Sequence, residues 1–177
     1  LLAAAHYIYD YIELTDFNTT TGAISNPRKL YARPSGIFPT IVDGAYGLEF
    51  SPDSRLLYVS GHYDLPNDTA VIYQFDVTQP TEASVQASKS FVTGSSWLNA
   101  PTALQLGPDK KIYAALHSQY LGIINYPNVQ GPGCQFIWNA INLDDGTGRE
   151  SVFGLPNFIQ SFYNDPVIAT GNCQFSN

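Results

Sequence analysis

The three histidines of this chain recur at a regular spacing. His6, His62 and His117 are the only histidines, and consecutive ones lie about 55 residues apart. Each falls where the second strand of a predicted repeat ends, so the imidazoles could form a ring that holds a metal ion such as zinc. The alternative is that each histidine caps its own strand. Geometry favours the alternative, because packed sheets lie about 10 Å apart and zinc needs nitrogen ligands at about 2.0–2.1 Å.

A Gly-rich acidic turn is a second candidate metal site. Asp144 and Asp145 begin the sequence Asp-Asp-Gly-Thr-Gly at 144–148, whose oxygen atoms are ligands that calcium prefers. The turn lacks the twelve-residue spacing of an EF-hand loop, which leaves an ordinary solvated turn as the alternative. Calcium is the one cofactor that the sequence suggests, and none is required.

The sequence contains no familiar catalytic motif. It has no GxSxG, P-loop or HExxH pattern, so we name no catalytic residue and lean towards a non-catalytic protein. Glu49 and Gln105 occupy matched positions on two predicted strands, where polar side chains are expected with or without a ligand. Trp97, Trp138 and the tyrosines could stack on sugar rings, although in a β-rich protein most aromatic rings pack in the core.

Composition narrows the class of protein. Aromatic residues make up 14% of the chain and charged residues 13%, which favours a packed, β-rich protein over a disordered one. The formal charge is -7 and the eight Lys and Arg are scattered, so nucleic-acid binding is not expected. No run approaches the roughly 18 apolar residues of a membrane helix. The chain has no Met, from which we expect a processed product or a piece of a longer chain.

One strand–turn–strand pattern positions these residues. Around the turn at 51–54, Leu48 and Phe50 alternate with Glu49, which is typical of a half-buried strand. Pro and Asp in the turn fix its backbone. The pattern returns at 103–115, and its first strand returns a third time from Phe153. Further strands are predicted at 70–77, 84–92, 120–125 and 134–142, with a loop at 61–68.

Four short strands in each period of about 50 residues are typical of a β-propeller blade. We therefore predict an all-β partial β-propeller, an arc over 1–163. It contains two nearly complete four-stranded antiparallel blades, at 45–92 and 102–143, flanked by partial blades near 1–30 and at 152–162. A closed ring needs about four to eight blades, so the remaining blades are expected from the same longer chain or from another subunit.

Several of these stretches together resemble a known family. The sequence FSPD at 50–53 with LYVS at 57–60 resembles YVTN- and WD-like extracellular β-propellers. The stretches LQLGPDKKIY at 104–113, YLGIINYPN at 120–128 and GLPNFIQSF at 154–162 are similar to a narrower set. That set comprises secreted surface proteins of the Bacteroidota, related to gliding-motility-associated proteins and type IX secretion substrates. Lys110 departs from the glycine usual at its position.

The resemblance implies export and a surface location, but no settled enzymatic activity. It implies that 164–177 is a linker or the start of an immunoglobulin-like module. Cys134 and Cys173 either form one disulfide bridge or stay unpaired, and export favours the bridge. Asp68-Thr69-Ala70 resembles the O-glycosylation site of such exported proteins, which makes Thr69 a glycosylation candidate in a predicted loop.

Two functions follow as hypotheses. The first is a non-catalytic propeller module of a secreted or cell-surface bacterial protein, acting as a scaffold or as a recognition or adhesion element. Its partners would be a cell-surface protein or a glycan. The alternative is a propeller hydrolase, similar to lactonases or glycan-lytic enzymes, with its site at the mouth of the channel.

Overall fold

The computed structural model describes residues 1–9, 11–31, 44–63, 69–96 and 99–156, without the side chains of residues 62, 63 and 69. Within these residues the predicted all-β class is confirmed, because the strands form three antiparallel sheets. The strands are β1 (Leu2–His6), β2 (Tyr11–Phe17), β3 (Ile24–Leu30), β4 (Ala45–Phe50), β5 (Leu56–Tyr63), β6 (Thr69–Asp76), β7 (Ser90–Ser96), β8 (Leu104–Leu106), β9 (Ile112–Ala115), β10 (Tyr120–Ile124) and β11 (Phe136–Asn142).

Each sheet is a simple up-and-down meander. The first sheet has the order β1-β2-β3, the second β4-β5-β6-β7, and the third β8-β9-β10-β11. Every strand therefore pairs with its neighbour in sequence. Among the described residues, the first sheet has one strand fewer than the other two.

The two predicted turns have the same backbone geometry. Ser54 and Lys110 both adopt left-handed backbone, with φ of 59° and 63°. The amide of Ser54 donates to the carbonyl of Ser51 (2.8 Å), and the amide of Lys110 donates to that of Gly107 (3.0 Å). Lys110 thus takes the conformation that glycine usually provides.

The second sheet is covered on both faces, and residue alternation explains why. Leu57 and Val59 belong to a core cluster shared with the first sheet, whereas Leu56 and Tyr58 belong to one shared with the third. Successive side chains of a strand point to opposite faces, so β5 contributes to both cores. The first core also contains Ile12, Leu14, Leu30, Phe75 and Val85, and the second contains Ile72, Leu104, Leu106, Ile112 and Ile124.

The sheets are stacked in series through corresponding elements. Each sheet has its first strand at one edge, and these edge strands meet: β1 contacts β4, and β4 contacts β8. At the opposite side of the sheets, β7 contacts a 3-10 turn at Gly131–Cys134 that precedes β11. The first strands of the second and third sheets therefore lie side by side.

The predicted strand at 84–92 is wrong in its first half. Glu82–Ala87 forms a short helix, α1, and β7 begins only at Ser90. Thr81 caps the helix, because its hydroxyl accepts from the amide of Ser84 while the Ser84 hydroxyl accepts from the amide of Thr81. Burial of Val85 then anchors α1. Among the described residues, no helix has the length and apolar character needed to cross a bilayer.

Three further boundaries differ from those predicted. The loop predicted from residue 61 begins later, because β5 continues to Tyr63. Thr69 is the first residue of β6 rather than part of a loop. Cys134 lies in the 3-10 turn, and β11 starts two residues later.

The described part of the predicted strand at 152–162, up to Pro156, is not a strand, and the rest lies outside the described residues.

Candidate binding site at the converging strand ends

One edge of the three sheets brings several chain segments together. The strands β1, β5 and β9 end there, and β4 and β8 begin there. At this edge three aromatic side chains, Tyr7, Tyr46 and Phe153, surround a small cavity of about 50 Å³. The rest of its lining is Gly61, Ala100, Pro101 and Thr102. We call this cavity the aromatic pocket.

The rings of the aromatic pocket touch one another across the sheets. Tyr46 meets Tyr7 edge-on, with ring centroids 5.9 Å apart at 84°, and lies 6.2 Å from Phe153. Tyr46 is 43% exposed and Phe153 is 44% exposed, so both rings offer faces to solvent. His117 stacks on Phe153 at 5.2 Å. Contacts of this kind hold large apolar rings in defined orientations.

Backbone contacts fix the floor of the aromatic pocket. The Ser60 hydroxyl donates to the carbonyl of Thr102 and accepts from the amide of Gly47. The hydroxyl of Thr102 in turn donates to the carbonyl of Val152 at 2.7 Å. The second sheet, the third sheet and the segment carrying Phe153 are thus joined by consecutive hydrogen bonds.

The two histidines whose side chains are described, His6 and His117, lie in different environments. His6 stacks on Tyr11 at 4.1 Å and lies 3.6 Å from Glu13, on the face of the first sheet turned away from the second. His117 instead contacts Phe153. The side chain of His62 lies outside the described part. Among the described side chains, no group of three His, Cys, Asp or Glu could hold a metal ion, so the three-histidine metal site gains no support.

The acidic turn satisfies its own carboxylates. Asp144 accepts from the amides of Gly146 (2.9 Å) and Gly148 (2.8 Å), and these bonds lower its pKa. Asp145 accepts from the Thr147 hydroxyl and lies 3.1 Å from the Arg149 guanidinium. Calcium binding would have to compete with these contacts, and it stays a prediction.

A buried polar network of residues that do not line the aromatic pocket joins the second and third sheets. The Tyr58 hydroxyl donates to the carbonyl of Pro127 at 2.9 Å and accepts from the Gln74 amide at 2.6 Å. The same amide donates to Val129, and the Gln74 carbonyl oxygen accepts from the amide of Gly131. Gln74 is only 1% exposed. Because both ends of its amide are bonded, it is compatible with full burial.

Cys134 belongs to the same region. It is fully buried, and burial raises the pKa of its thiol. Cys173 lies outside the described residues, so the predicted disulfide stays a prediction. The glycosylation of Thr69 is likewise untested, since that side chain lies outside the described part.

Burial raises the pKa of the Tyr58 hydroxyl well above its ordinary value. The phenol of Tyr58 stays neutral in the folded state, whereas in the unfolded chain it ionises with a pKa of about 10. Folding therefore gains stability from the neutral phenol, and this stability is fully present below about pH 10. This stability is lost as the pH rises above it. We expect the destabilisation caused by Tyr58→Phe to shrink between about pH 9 and pH 11, as measured by urea unfolding. A difference that stays constant over this range would contradict the assignment.

Glu49 and Gln105 occupy matched places but do different things. Glu49 is buried and accepts from the amide of Leu106, on the first strand of the next sheet, at 2.9 Å. Gln105 is half-buried beside Leu155 and Pro156 in an open apolar cleft of the third sheet. Glu49 is therefore a structural residue that joins two sheets.

The aromatic pocket was not predicted from the sequence. Trp138, singled out there, is instead half-buried against Phe136 in the second core, and Trp97 lies outside the described residues. The available signal was the repeated aromatic-Gly-Leu tripeptide at 46–48 and 153–155. Comparison with protein-family models, curated proteins and solved structures found nothing that matches this chain.

Proposed function

We propose that this chain is part of a non-catalytic β-propeller module of a secreted or cell-surface protein, acting as a scaffold or recognition element. The observation that carries the proposal is the serial stacking of three meander sheets through corresponding strands. Blades of a propeller are stacked in this way around a common axis. The family resemblance of the sequence motifs adds the expectation of export and of adhesion at a bacterial surface.

Two hydrogen bonds connect successive parts of the stack. The Ser60 hydroxyl of the second sheet donates to Thr102, just before the third sheet begins. The Thr102 hydroxyl donates to Val152, about 50 residues further on. The residue that precedes the third sheet is therefore bonded both to the second sheet and to the segment at Val152.

The outer face of the third sheet supports a further sheet as partner. On the second sheet, a cross-strand row of Glu49, Tyr58 and Gln74 binds the backbone of the third sheet. The matching row on the third sheet is Gln105, Tyr113 and Ile123. The same face also carries the half-buried Leu121 and the exposed Ile137 and Ile141. We call this set of six residues the open face. By analogy with the second sheet, it is the contact surface for the next blade.

The open face predicts self-association of the chain. Apolar area left in water favours any partner that covers it. We expect the purified chain to sediment above monomer mass at high concentration and to bind a hydrophobic dye. Ile123→Lys places a charge in the middle of the open face and should return the chain to monomer, as measured by analytical ultracentrifugation.

The matched control is Ile24→Lys, at a residue that is 59% exposed on β3 of the first sheet. It should leave association unchanged. A wild-type chain that stays monomeric and dye-free, or equal effects of both substitutions, would remove the support for a missing neighbouring sheet.

The non-catalytic part of the proposal is supported by how the candidate residues are engaged. His117 stacks on Phe153, His6 stacks on Tyr11, and Glu49 bonds backbone. Turnover of lactone or glycoside substrates by the purified chain, lost in His117→Ala, would replace the recognition module with the hydrolase.

A further inference from the structure

We propose that the helix α1 covers the outer edge of the first sheet and keeps β3 from pairing with β3 of a second copy of this chain. Side chains of α1 hold the main chain of β3 through hydrogen bonds. This role does not depend on the three sheets being propeller blades.

The strand β3 lies at the edge of its sheet. Among the described strands, β3 pairs only with β2, whereas the third strands of the other two sheets pair with a fourth, β7 or β11. An uncovered edge offers amides and carbonyls that a strand of another molecule can bind, and natural proteins close such edges. The first sheet therefore needs something other than a fourth strand at this position.

Two side chains of α1, those of Glu82 and Gln86, bind the edge of β3. The Glu82 carboxylate accepts from the amide of Lys29 at 2.9 Å. The Gln86 carboxamide accepts from the amide of Tyr31 at 2.7 Å and donates to the carbonyl of Tyr31 at 2.9 Å. Amides two residues apart lie on the same side of a strand, so both contacts are on the edge that faces away from β2.

The Gln86 carboxamide supplies what a neighbouring strand would supply. In an antiparallel ladder, two opposed residues of a hydrogen-bonded pair exchange both N–H···O bonds. A carboxamide side chain has the donor and the acceptor of a peptide group, so Gln86 binds Tyr31 as a residue of a paired strand would. A strand of another molecule can pair here only after these bonds break.

The rest of this edge is unsuited to pairing. Pro27 lies two residues before Lys29 and has no amide proton to donate to a further strand. Lys29 places a charge beside the edge, with its ammonium 4.8 Å from the centre of the Tyr11 ring, and edge lysines discourage strand pairing. The donors left for a partner are the amides of Lys29 and Tyr31, which α1 covers.

Other contacts hold α1 in place. Val85 is buried in the core between the first and second sheets. The Ser88 hydroxyl, just after the helix, accepts from the amide of Asp76 on β6 at 2.8 Å. Neither contact involves Glu82 or Gln86, and alanine is the strongest helix former. Alanine at these two positions should therefore remove the edge bonds and leave the helix folded.

Amide hydrogen exchange, followed by NMR at low protein concentration, tests the covered edge. We expect Gln86→Ala to speed exchange at the amide of Tyr31 by at least about tenfold, because the hydrogen bond that protects it is lost. Glu82→Ala should have the same effect at the amide of Lys29. Unchanged rates at both amides would overturn the inference.

Leu30 and Ser88 are the internal controls for exchange. Leu30 pairs with Ile12 of β2, and alternation directs its amide away from the outer edge. The Ser88 amide donates to the Ser84 carbonyl at 3.1 Å and reports whether α1 stays folded. Both amides should keep their wild-type rates. Faster exchange at Ser88 as well would mean that the substituted side chains stabilise the helix instead of covering the edge, and would overturn the inference.

Analytical ultracentrifugation tests whether the uncovered edge binds a second copy. Every chain in this experiment also carries Ile123→Lys, so that the open face does not contribute. We expect the double variant Glu82→Ala and Gln86→Ala to lower the dimer Kd at least about tenfold relative to this parent. Glu82→Gln is the matched control, because it removes the same charge but keeps an acceptor for the amide of Lys29, and it should leave Kd unchanged. A double variant that associates no more than Glu82→Gln would overturn the inference.

Discussion

Gly47→Ala is expected to lower the free energy of unfolding by about 3 kcal/mol, a large value for one methyl group. A Cβ at this position would lie 2.5 Å from the Ser60 hydroxyl and 3.0 Å from the backbone nitrogen of Leu104. It would lie closer still to the carbonyl oxygen of Thr102. Two of these three neighbours are backbone atoms, one of Thr102 just before β8 and one of Leu104 at the start of β8, so the clash is relieved only by moving β4 away from β8.

The expected loss is measurable in two ways. Urea unfolding should give a lower midpoint with an unchanged slope. For a chain of this size, about 3 kcal/mol corresponds to a decrease of roughly 6–12 °C in Tm.

Gly154→Ala is the matched control for Gly47→Ala. Both glycines follow an aromatic residue and precede leucine, but a Cβ on Gly154 would meet nothing within 4 Å. We expect its stability to stay within about 0.5 kcal/mol of wild type. If Gly47→Ala were as stable as Gly154→Ala, the close approach of the second and third sheets would be wrong.

The sequence predicts the hairpins well because their determinants are local. Proline and aspartate fix the turns at 51–54 and 107–110, and alternation assigns Leu57 and Tyr58 to opposite faces. The all-β class follows from these short-range patterns. The short helix Glu82–Ala87 was missed because Val85 and Ala87 alternate with polar residues, as in a strand. The Thr81–Ser84 capping pair was the signal against it.

Long-range placement could not be predicted from spacing. His6 was expected to match His62 and His117, yet its pairing with Tyr11 puts it on the outer face of the first sheet. A register difference of one residue moves a side chain to the other face of a sheet. The aromatic pocket depends on contacts between Tyr46 and Phe153, which are far apart in sequence. Only the stacking of whole sheets brings these two residues together.

Gln74→Leu is expected to be the other strongly destabilising change, again by about 3 kcal/mol. Leucine has a similar size but leaves the amide of Gly131 and the carbonyl of Val129 without the partners they have now. Gly131 is buried, and a buried group that loses its hydrogen bond costs about 1–3 kcal/mol. Val129 is 45% exposed, so the loss at its carbonyl costs less. Tyr58 also loses the donor at 2.6 Å from its hydroxyl.

A double-mutant cycle with Tyr58→Phe separates the network from simple packing. Tyr58→Phe alone should cost about 2 kcal/mol, because the carbonyl of Pro127 loses its donor. If the two side chains act as one network, the double variant should lose less than the sum of the single losses. Additive losses, measured by urea unfolding, would mean that Gln74 and Tyr58 contribute independently.

Gln105→Leu and Tyr113→Phe are the controls for this pair, since they lie on the corresponding face of the third sheet. Gln105 is half-buried, and its amide nitrogen is 3.5 Å from the carbonyl of Leu106, which is a weak bond. Tyr113 donates to Asp109 in the exposed turn of its own sheet. Both substitutions should change stability by less than about 0.5 kcal/mol. The two pairs differ because the third sheet covers Gln74 and Tyr58 of the second sheet. Their polar atoms are shielded from water, so their hydrogen bonds become necessary for stability.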